Sequence, residues 1–521
     1  MDWESGMKEL ERRRQVGVSM GGPERIERHH KKGYLTARER IDKLIDPGTW
    51  WETGLLEQYE WRSEEGAQEL PTAKIRGFAK IDGRTVFIHA DDRTVLAGTD
   101  EQKPAGHNRS KGMETLVPPE ISSYPTIGLG DGGGARIQNI MGSYGLLALT
   151  YPMRRLMSSR RSPHVATIMG YCYGAPTWEA AVADFVVMVK RGTSMAVSSP
   201  RVLEITLNEK VSPEELGGWE VHAEQTGQVD AFADTEEECL QIVRDFLGYM
   251  PSNCDEEPPA VSTADPPDRN SEKLMKVVAD KRNQAYDMHL VIKEIVDDGK
   301  FLELKPYYGK ALITCLARMN GRTVSIIASN TMYNAGATGP DECEKATEHI
   351  VLCDTYNIPL IFLVDTPGNL VGTAAESKKI PTKIMVWLEA LAMSSVPKIT
   401  IIVRKAYGMA ISHMCGTNCG PDFIAAWPIA EISFMSPDAA ANVVFLNEIQ
   451  KAEDPQAERE KLIKQMEYES APWQAAAKGV LDDVIDPGDT RRYIIDCLNI
   501  IRGARGNFLS KHRLQNWPTG Y

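Results

Sequence analysis

No stretch of this 521-residue chain stays apolar for the roughly twenty residues that a membrane-crossing helix needs, so no membrane span is expected. The opening MDWESGMKELERRRQ is charged throughout and lacks the apolar centre of a secretory signal, which makes a cytoplasmic location the expectation. Positive charge is also short. Lys and Arg number 59 against 72 Asp and Glu, a formal net charge of -13, and a surface built for nucleic acid is normally basic. The local basic runs ERHHKK and MSSRRS read as solvated charge. Nine scattered cysteines make no paired framework and suit reduced thiols. Only HMCGTNCG brings metal-ligand types together, at His413, Cys415 and Cys419; it lacks a second ligand cluster, so no metal is expected.

What is present starts with glycine. LGDGGGARIQ, residues 129–138, sets three glycines between Asp131 and what reads as the first turn of a helix. It fits neither the spacing of a dinucleotide-binding turn nor the Gly-Lys-Ser/Thr ending of a phosphate-binding loop. A chain of this length implies two domains, and the sequence repeats itself. FAKIDGRTVFIHADD is echoed by LARMNGRTVSIIASN, each two strands around an Asp-Gly or Asn-Gly hairpin turn. YPTIGLGDGGGA pairs with IPLIFLVDTPGN, and HVATIMGYCYGAP with KITIIVRKAYGMA. Asp131 to Tyr173 and Asp365 to Tyr407 are both 42 residues apart (173 − 131 and 407 − 365). Between the halves, residues 251–271 are rich in Pro, Asp, Glu and Ser and read as a linker, giving domains at 1–250 and 272–521. Apolar strands alternating with amphipathic helices such as ATEHIVLCDTYN and KIMVWLEALAMSS predict an α/β fold twice over. A pseudo-two-fold relation could bring the glycine turns to one cleft, within a chain or across a dimer. Glycines recurring at strand ends suggest turns that offer backbone N–H groups to a ligand oxygen that gains charge, the design of an oxyanion hole.

ERIERHHKKGYLTARERIDKLIDPGTWWETG, DGGGARIQ, EELGGWEVHAEQTGQVD, CDTYNIPLIFLVDTPGNLVGTAAE, VPKITIIVRKAYGMA and AAWPIAEISFM appear in the order in which they occur in a known family. The chain resembles the carboxyltransferase (beta) subunit of biotin-dependent acyl-CoA carboxylases, the propionyl-CoA carboxylase beta type, a family that includes related decarboxylase subunits. The resemblance implies two tandem crotonase-like domains (the ClpP/crotonase superfamily), an acyl-CoA held mainly by the N-terminal domain, and biotin held by the C-terminal domain of a partner subunit. It implies a reaction without a protein base, in which CO2 released from carboxybiotin is taken up by an enolate whose α-proton goes to the biotin ureido nitrogen. The enzyme then has two developing oxyanions to stabilise and water to exclude.

Carried over by position, the thioester-enolate hole falls on Gly174 and Ala175 after Cys172, and the biotin-carbonyl hole on Met409 and Ala410 beside Gly408. Gly133, Gly134, Tyr173, Ile411 and Ser412 are assigned to the substrate, and Gly408, Pro367 and Gly368 to biotin. The chain departs from the family at YGMAIS, where YGGAYD is common, at Gly132, where a serine is usual, and around Ala97 and Gly98. These departures put a propionyl or acetyl substrate in question. No Ala-Met-Lys-Met biotinylation signal or glycine-rich ATP-binding block is present, so a biotin carboxylase or biotin carboxyl carrier partner is implied, together with a homo-oligomer from dimer to hexamer. The same site run in reverse as a decarboxylase, and a non-catalytic acyl-CoA-binding homologue, are the alternatives. His107 and His222 are expected to be dispensable.

Overall fold

The computed structural model describes residues 2–63, 66–99, 124–136, 141–143 and 160–517. Two compact units divide the chain, one within Met1–Cys254 and the other Asp255–Trp517.

The first unit carries, in chain order, β1 (Trp51–Glu52), β2 (Gln58–Ser63), β3 (Gly66–Pro71), β4 (Lys74–Ile81), β5 (Arg84–Asp91), β6 (Thr126–Gly130), β7 (His164–Ile168), β8 (Tyr171–Tyr173), β9 (Phe185–Val189), β10 (Ser194–Ala196) and β11 (Ala231–Ala233). Its main sheet runs β1-β4-β5-β6-β7-β9-β11, antiparallel up to β5 and parallel from there on. The second unit carries β12 (Phe301–Leu304), β13 (Leu312–Met319), β14 (Arg322–Ser329), β15 (Leu360–Thr366), β16 (Lys398–Tyr407), β17 (Phe423–Ala426), β18 (Glu431–Ser433) and β19 (Asp483–Val484). Its sheet, β12-β13-β14-β15-β16-β17-β19 with β18 beside β16, repeats the same plan.

The hairpins explain themselves. Asp82 and Gly83 at the β4–β5 turn have φ of 50° and 78°, and Asn320 and Gly321 at the β13–β14 turn 50° and 74°, the left-handed pair that matches the twist of a two-residue hairpin. Each turn is clamped in the same way. Asp46 accepts from the N–H groups of Asp82 and Gly83, and Asp297 from those of Asn320 and Gly321. Arg244 then reaches Asp46 in the first unit, as Arg491 reaches Asp297 in the second.

Every residue of β15 and β16 is buried, the signature of parallel strands covered on both faces. The core of the second unit gathers Ile313, Ile326, Leu363, Ile401 and Trp427 from the sheet with Ile292, Ile494 and Leu498 from helices; that of the first packs Ile168, Val186, Met188 and Met195. Each such side chain contributes about 1.5–3 kcal/mol on burial.

Two expectations need correction, and a third gains detail. Residues 131–136 are irregular, so the predicted helical turn does not begin at Arg136, and 137–140 lie outside the described residues. Helix Pro340–Thr355 is not amphipathic in place: Cys343, Ala346, His349, Ile350 and Cys353 are all buried, and so is Lys345. Residues 251–271, read as a linker, contain the division between the two units, at Cys254–Asp255, and are fastened at several points. Cys254 and Ser271 are buried, Glu257 pairs with Arg502, Val261 donates to the Gly321 carbonyl, and Asp265 holds Arg269. Two of its acidic residues, Glu257 and Asp265, fasten a stretch in which Asp255, Glu256 and Asp268 are exposed.

Candidate active site

In each unit a buried aspartate ends a central parallel strand, and a buried arginine meets it. Asp131, following β6, is 1% exposed, and Arg40 Nη1 lies 3.1 Å from its Oδ2. Arg40 comes from helix Ala37–Leu44, which the Thr36–Glu39 capping box starts. It also forks onto Glu236 at 2.7 and 2.8 Å and donates to the Met169 carbonyl. Burial pulls the Arg40 pKa down, but Asp131 and Glu236 outweigh it and hold the guanidinium charged. In the second unit Asp365 is wholly buried and receives Arg404 Nε at 3.0 Å, the Tyr286 hydroxyl at 2.8 Å and the Lys405 N–H at 3.2 Å. Arg404 also donates to the carbonyls of Ala279, Lys281 and Gln284. These aspartates anchor the turns that follow them.

Against each aspartate packs a strained turn. Leu96, Ala97 and Gly98 have φ of 46°, 58° and 68°, and Asn334, Ala335 and Gly336 have 46°, 54° and 85°. A Cβ on Gly98 would lie 2.7 Å from the Asp131 carbonyl oxygen, and one on Gly336 2.5 Å from that of Asp365. Two successive non-glycine residues in left-handed backbone, repeated in both units, mark a conformation that its surroundings enforce.

The predicted turns stand at the strand ends beside these anchors. Gly174 follows β8 with φ 73° and is the N-cap of helix Ala175–Ala181. Gly134, φ 71°, crosses beside it, since a Cβ there would lie 2.5 Å from the Tyr173 carbonyl oxygen. Gly133 spends its N–H on the Ala97 carbonyl, and Tyr173 N–H donates to Gly132. Tyr173 is partly buried, and burial first of all raises its hydroxyl pKa.

In the second unit Gly408, φ 61°, turns the chain out of β16 into the short helix Ala410–His413. Its own N–H donates to Ser433 O at 3.0 Å, so Gly408 shapes the turn and is no free donor. The N–H groups of Met409 and Ala410 have no acceptor among the described residues. Gly368 has φ 127°; its N–H meets Thr366 Oγ1 at 3.3 Å and its carbonyl receives Thr338 N–H. Pro367 is exposed beside it. His413 ties the two turns together: its Nε2 lies 2.7 Å from Asn369 Oδ1, which also receives the Thr338 hydroxyl at 2.6 Å. Burial pushes the His413 pKa down to about 3, so the imidazole stays neutral.

Ser412 and Ile411 part company. Ser412 is buried and its Oγ accepts from Asn418 Nδ2 at 2.9 Å, whereas Ile411 is partly exposed. His222 has both ring nitrogens engaged, with Met195 O at 2.8 Å and Thr226 Oγ1 at 3.0 Å, and is structural. His107 lies outside the described residues. Sequence reasoning missed Arg40, Arg404 and the left-handed turns. Their signal was present: Arg40 sits in a stretch quoted for the resemblance, and Ala97-Gly98 and Ala335-Gly336 follow corresponding hairpins.

Comparison with known proteins is extensive. The carboxyl transferase domain family matches residues 28–515. The chain is 36% identical to the carboxyltransferase subunit of propionyl-CoA carboxylase from Haloferax mediterranei, covering 97% of this chain and 98% of that one. It is 34% identical to the alpha subunit of methylmalonyl-CoA decarboxylase from Propionigenium modestum, over 97% of each. Among solved structures, transcarboxylase 12S with methylmalonyl-coenzyme A and methylmalonic acid bound, described as a hexamer assembly, superposes with a TM-score of 0.89 at 34% identity over 96% of both chains.

Proposed function

This chain belongs to the carboxyl transferase domain family, and on that premise we propose that it is the subunit that moves a carboxyl group between biotin on a partner protein and the α or vinylogous carbon of an acyl-CoA. The two units have the crotonase-like α/β carboxyltransferase fold, and the chain is an enzyme of the biotin-dependent acyl-CoA carboxyltransferase class. Among the described residues no helix is long and apolar enough to cross a membrane.

The observation that carries the assignment of roles is the Met409–Ala410 pair. Two adjacent backbone N–H groups without an acceptor among the described residues, at a turn held by a buried aspartate–arginine pair, are what a developing oxyanion requires. The backbone leaves room at Gly368, where a Cβ would meet nothing closer than Tyr407 O at 3.9 Å, and is tight at Gly408, where one would lie 3.3 Å from Phe434 O. Partner-borne biotin supplies the carboxyl group when it is bound. The chain's own part is to hold a ureido oxygen at Met409 and Ala410, with Gly408, Pro367 and Gly368 shaping the turn. The equivalent turn at Gly174 and Ala175 holds the thioester oxygen as the enolate forms, beside Gly133, Gly134 and Tyr173. Fixed backbone donors need no reorganisation as charge develops, so each contributes directly to lowering the barrier.

No protein carboxylate or imidazole takes part in this scheme. The strand-end aspartates are spent on arginine, and His413 is neutral and holds Asn369. Ile411, partly exposed at the turn, is the side chain that meets the acyl group, while buried Ser412 supports it through Asn418. The decarboxylation direction is a second reading, favoured by the similarity to the methylmalonyl-CoA decarboxylase subunit, since one enolate serves both directions. The experiment is CO2 release from a panel of carboxylated CoA esters by the purified chain, with and without free biotin. Biotin-dependent turnover of one ester establishes the chemistry and the acyl group; turnover of none, with or without a carrier protein, contradicts it.

A further inference from the structure

Beside the helix Ala175–Ala181 three side chains converge that the carboxyl-transfer scheme does not use. His89 on β5, His164 on β7 and Glu179 on the helix each offer one ligand atom, and these atoms all lie within 4.8 Å of one another. The two histidine strands flank β6, and the β6 residue in register with His89 is Gly128. A Cβ on Gly128 would lie 2.8 Å from His89 Cε1, so the bare backbone there is what lets the imidazole lie across the strand.

Two further observations point to a cation. His89 Nε2 and Glu179 Oε1 are 3.3 Å apart. That is longer than the roughly 2.7–2.9 Å of a charge-assisted hydrogen bond. It matches the edge of a tetrahedron of ligands at about 2.0–2.1 Å from a central ion, roughly 3.3–3.4 Å. Independently, Nε2 of His164 is buried and has no hydrogen-bond partner among the described residues. A buried ring nitrogen left unmatched pays its desolvation penalty uncompensated unless something occupies it.

We propose that His89, His164 and Glu179 form a binding site for a divalent first-row transition cation of the zinc class. Two imidazoles and one carboxylate are the donor set that such an ion takes, with a fourth position left for water. The ion ties β5 and β7 to the helix whose first residue is Ala175. It thereby braces the turn assigned to the thioester oxygen; that consequence rests on the carboxyltransferase reading, whereas the site does not. The sequence carried no such expectation, because its three ligands lie far apart in the chain.

The test is metal content and spectroscopy of the full chain. After dialysis against Zn2+ and then metal-free buffer, the wild type retains about one equivalent more zinc than Glu179→Gln or His89→Ala. Co2+ in the wild type gives the visible absorption band of a four-coordinate site, and both variants lose it. Circular dichroism checks that the variants fold, and His89→Ala, at a partly exposed position, serves if Glu179→Gln does not. Equal zinc and equal cobalt spectra in wild type and variants, or no metal in the wild type, overturn the proposal, whatever the outcome of the CO2-release assay.

Discussion

The two halves of the molecule solve the same problem with different materials. In the first, the chain between the buried aspartate's two neighbouring strands breaks at Met169-Gly170, and Gly170 is obligatory because a Cβ would lie 1.9 Å from Asp131 Oδ1. In the second, β16 runs unbroken through Arg404 and Lys405, and the accommodation is instead a register shift against β15 between Val364 and Thr366. The arginine likewise arrives from different places: from a separate helix in the first half, from the strand itself in the second. What is common is the outcome, a glycine with φ near 60–75° at the end of a strand, opening onto a short helix. Shared outcome with unlike construction argues that the turn is what function requires.

Removing the anchors tests this most severely. Arg40→Leu strips the guanidinium from two carboxylates, leaving Asp131 with Arg93 Nη1 at 3.4 Å and Glu236 without its ion pair, whereas Arg404→Leu affects Asp365 alone, which still faces Lys405 Nζ at 3.3 Å. Stranding a buried charge costs about 3–5 kcal/mol, so both variants fall sharply in denaturant midpoint, Arg40→Leu the further. If Arg404→Leu proves the costlier, the three loop carbonyls it holds outweigh the ion pair.

The strained turns come next. Gly98→Ala and Gly336→Ala place a Cβ in left-handed backbone and against a carbonyl oxygen in each half, at a cost of about 2–3 kcal/mol each. Equal losses in thermal melts support a common role; a loss in one half alone breaks the equivalence.

Acid acts on both halves at a smaller scale, since burial also lowers the pKa of His29, His164 and His222 in the first. Burial holds His349 and His413, both in the second unit, at about 3 against an unfolded value of 6.5. A group kept neutral this way contributes stability that is fully present above about 6.5 and is lost as pH falls toward 3. The linkage amounts to about 2 kcal/mol per histidine at pH 5. Melts at pH 7.5 and pH 5 measure it, and His413→Gln reduces the difference by about 2 kcal/mol; an unchanged difference would mean that other groups carry it.

Much of this was legible in the residues. The Asp-Gly and Asn-Gly hairpins, the paired strands and the equal spacing from Asp to Tyr are local or periodic signals, and the family resemblance fixed the order of the pieces. What escaped depends on contacts between distant residues. Nothing near Arg40 indicates that it pairs with Asp131, 91 residues on, or that Glu236, 196 residues on, shares it. Composition read residues 251–271 as a linker, and the units divide within it, but it could not show that ion pairs to Arg502 and Arg491 fasten that stretch. Glycine alone could not say which turn residues donate: Gly408 carries the special conformation but spends its N–H on Ser433, and the unspent donors belong to its neighbours.

Met409 allows the central claim to be tested at one atom. Its φ of −66° already suits proline and its side chain is half exposed, so Met409→Pro deletes the N–H with little strain. Met409→Ala keeps the N–H. Loss of one oxyanion donor costs about 10²–10³ in kcat. The measurement is biotin-dependent turnover of the two variants with their thermal midpoints. A fall of that size in Met409→Pro alone, at an unchanged midpoint, is the result predicted; equal activity in both variants contradicts a backbone oxyanion hole at this turn.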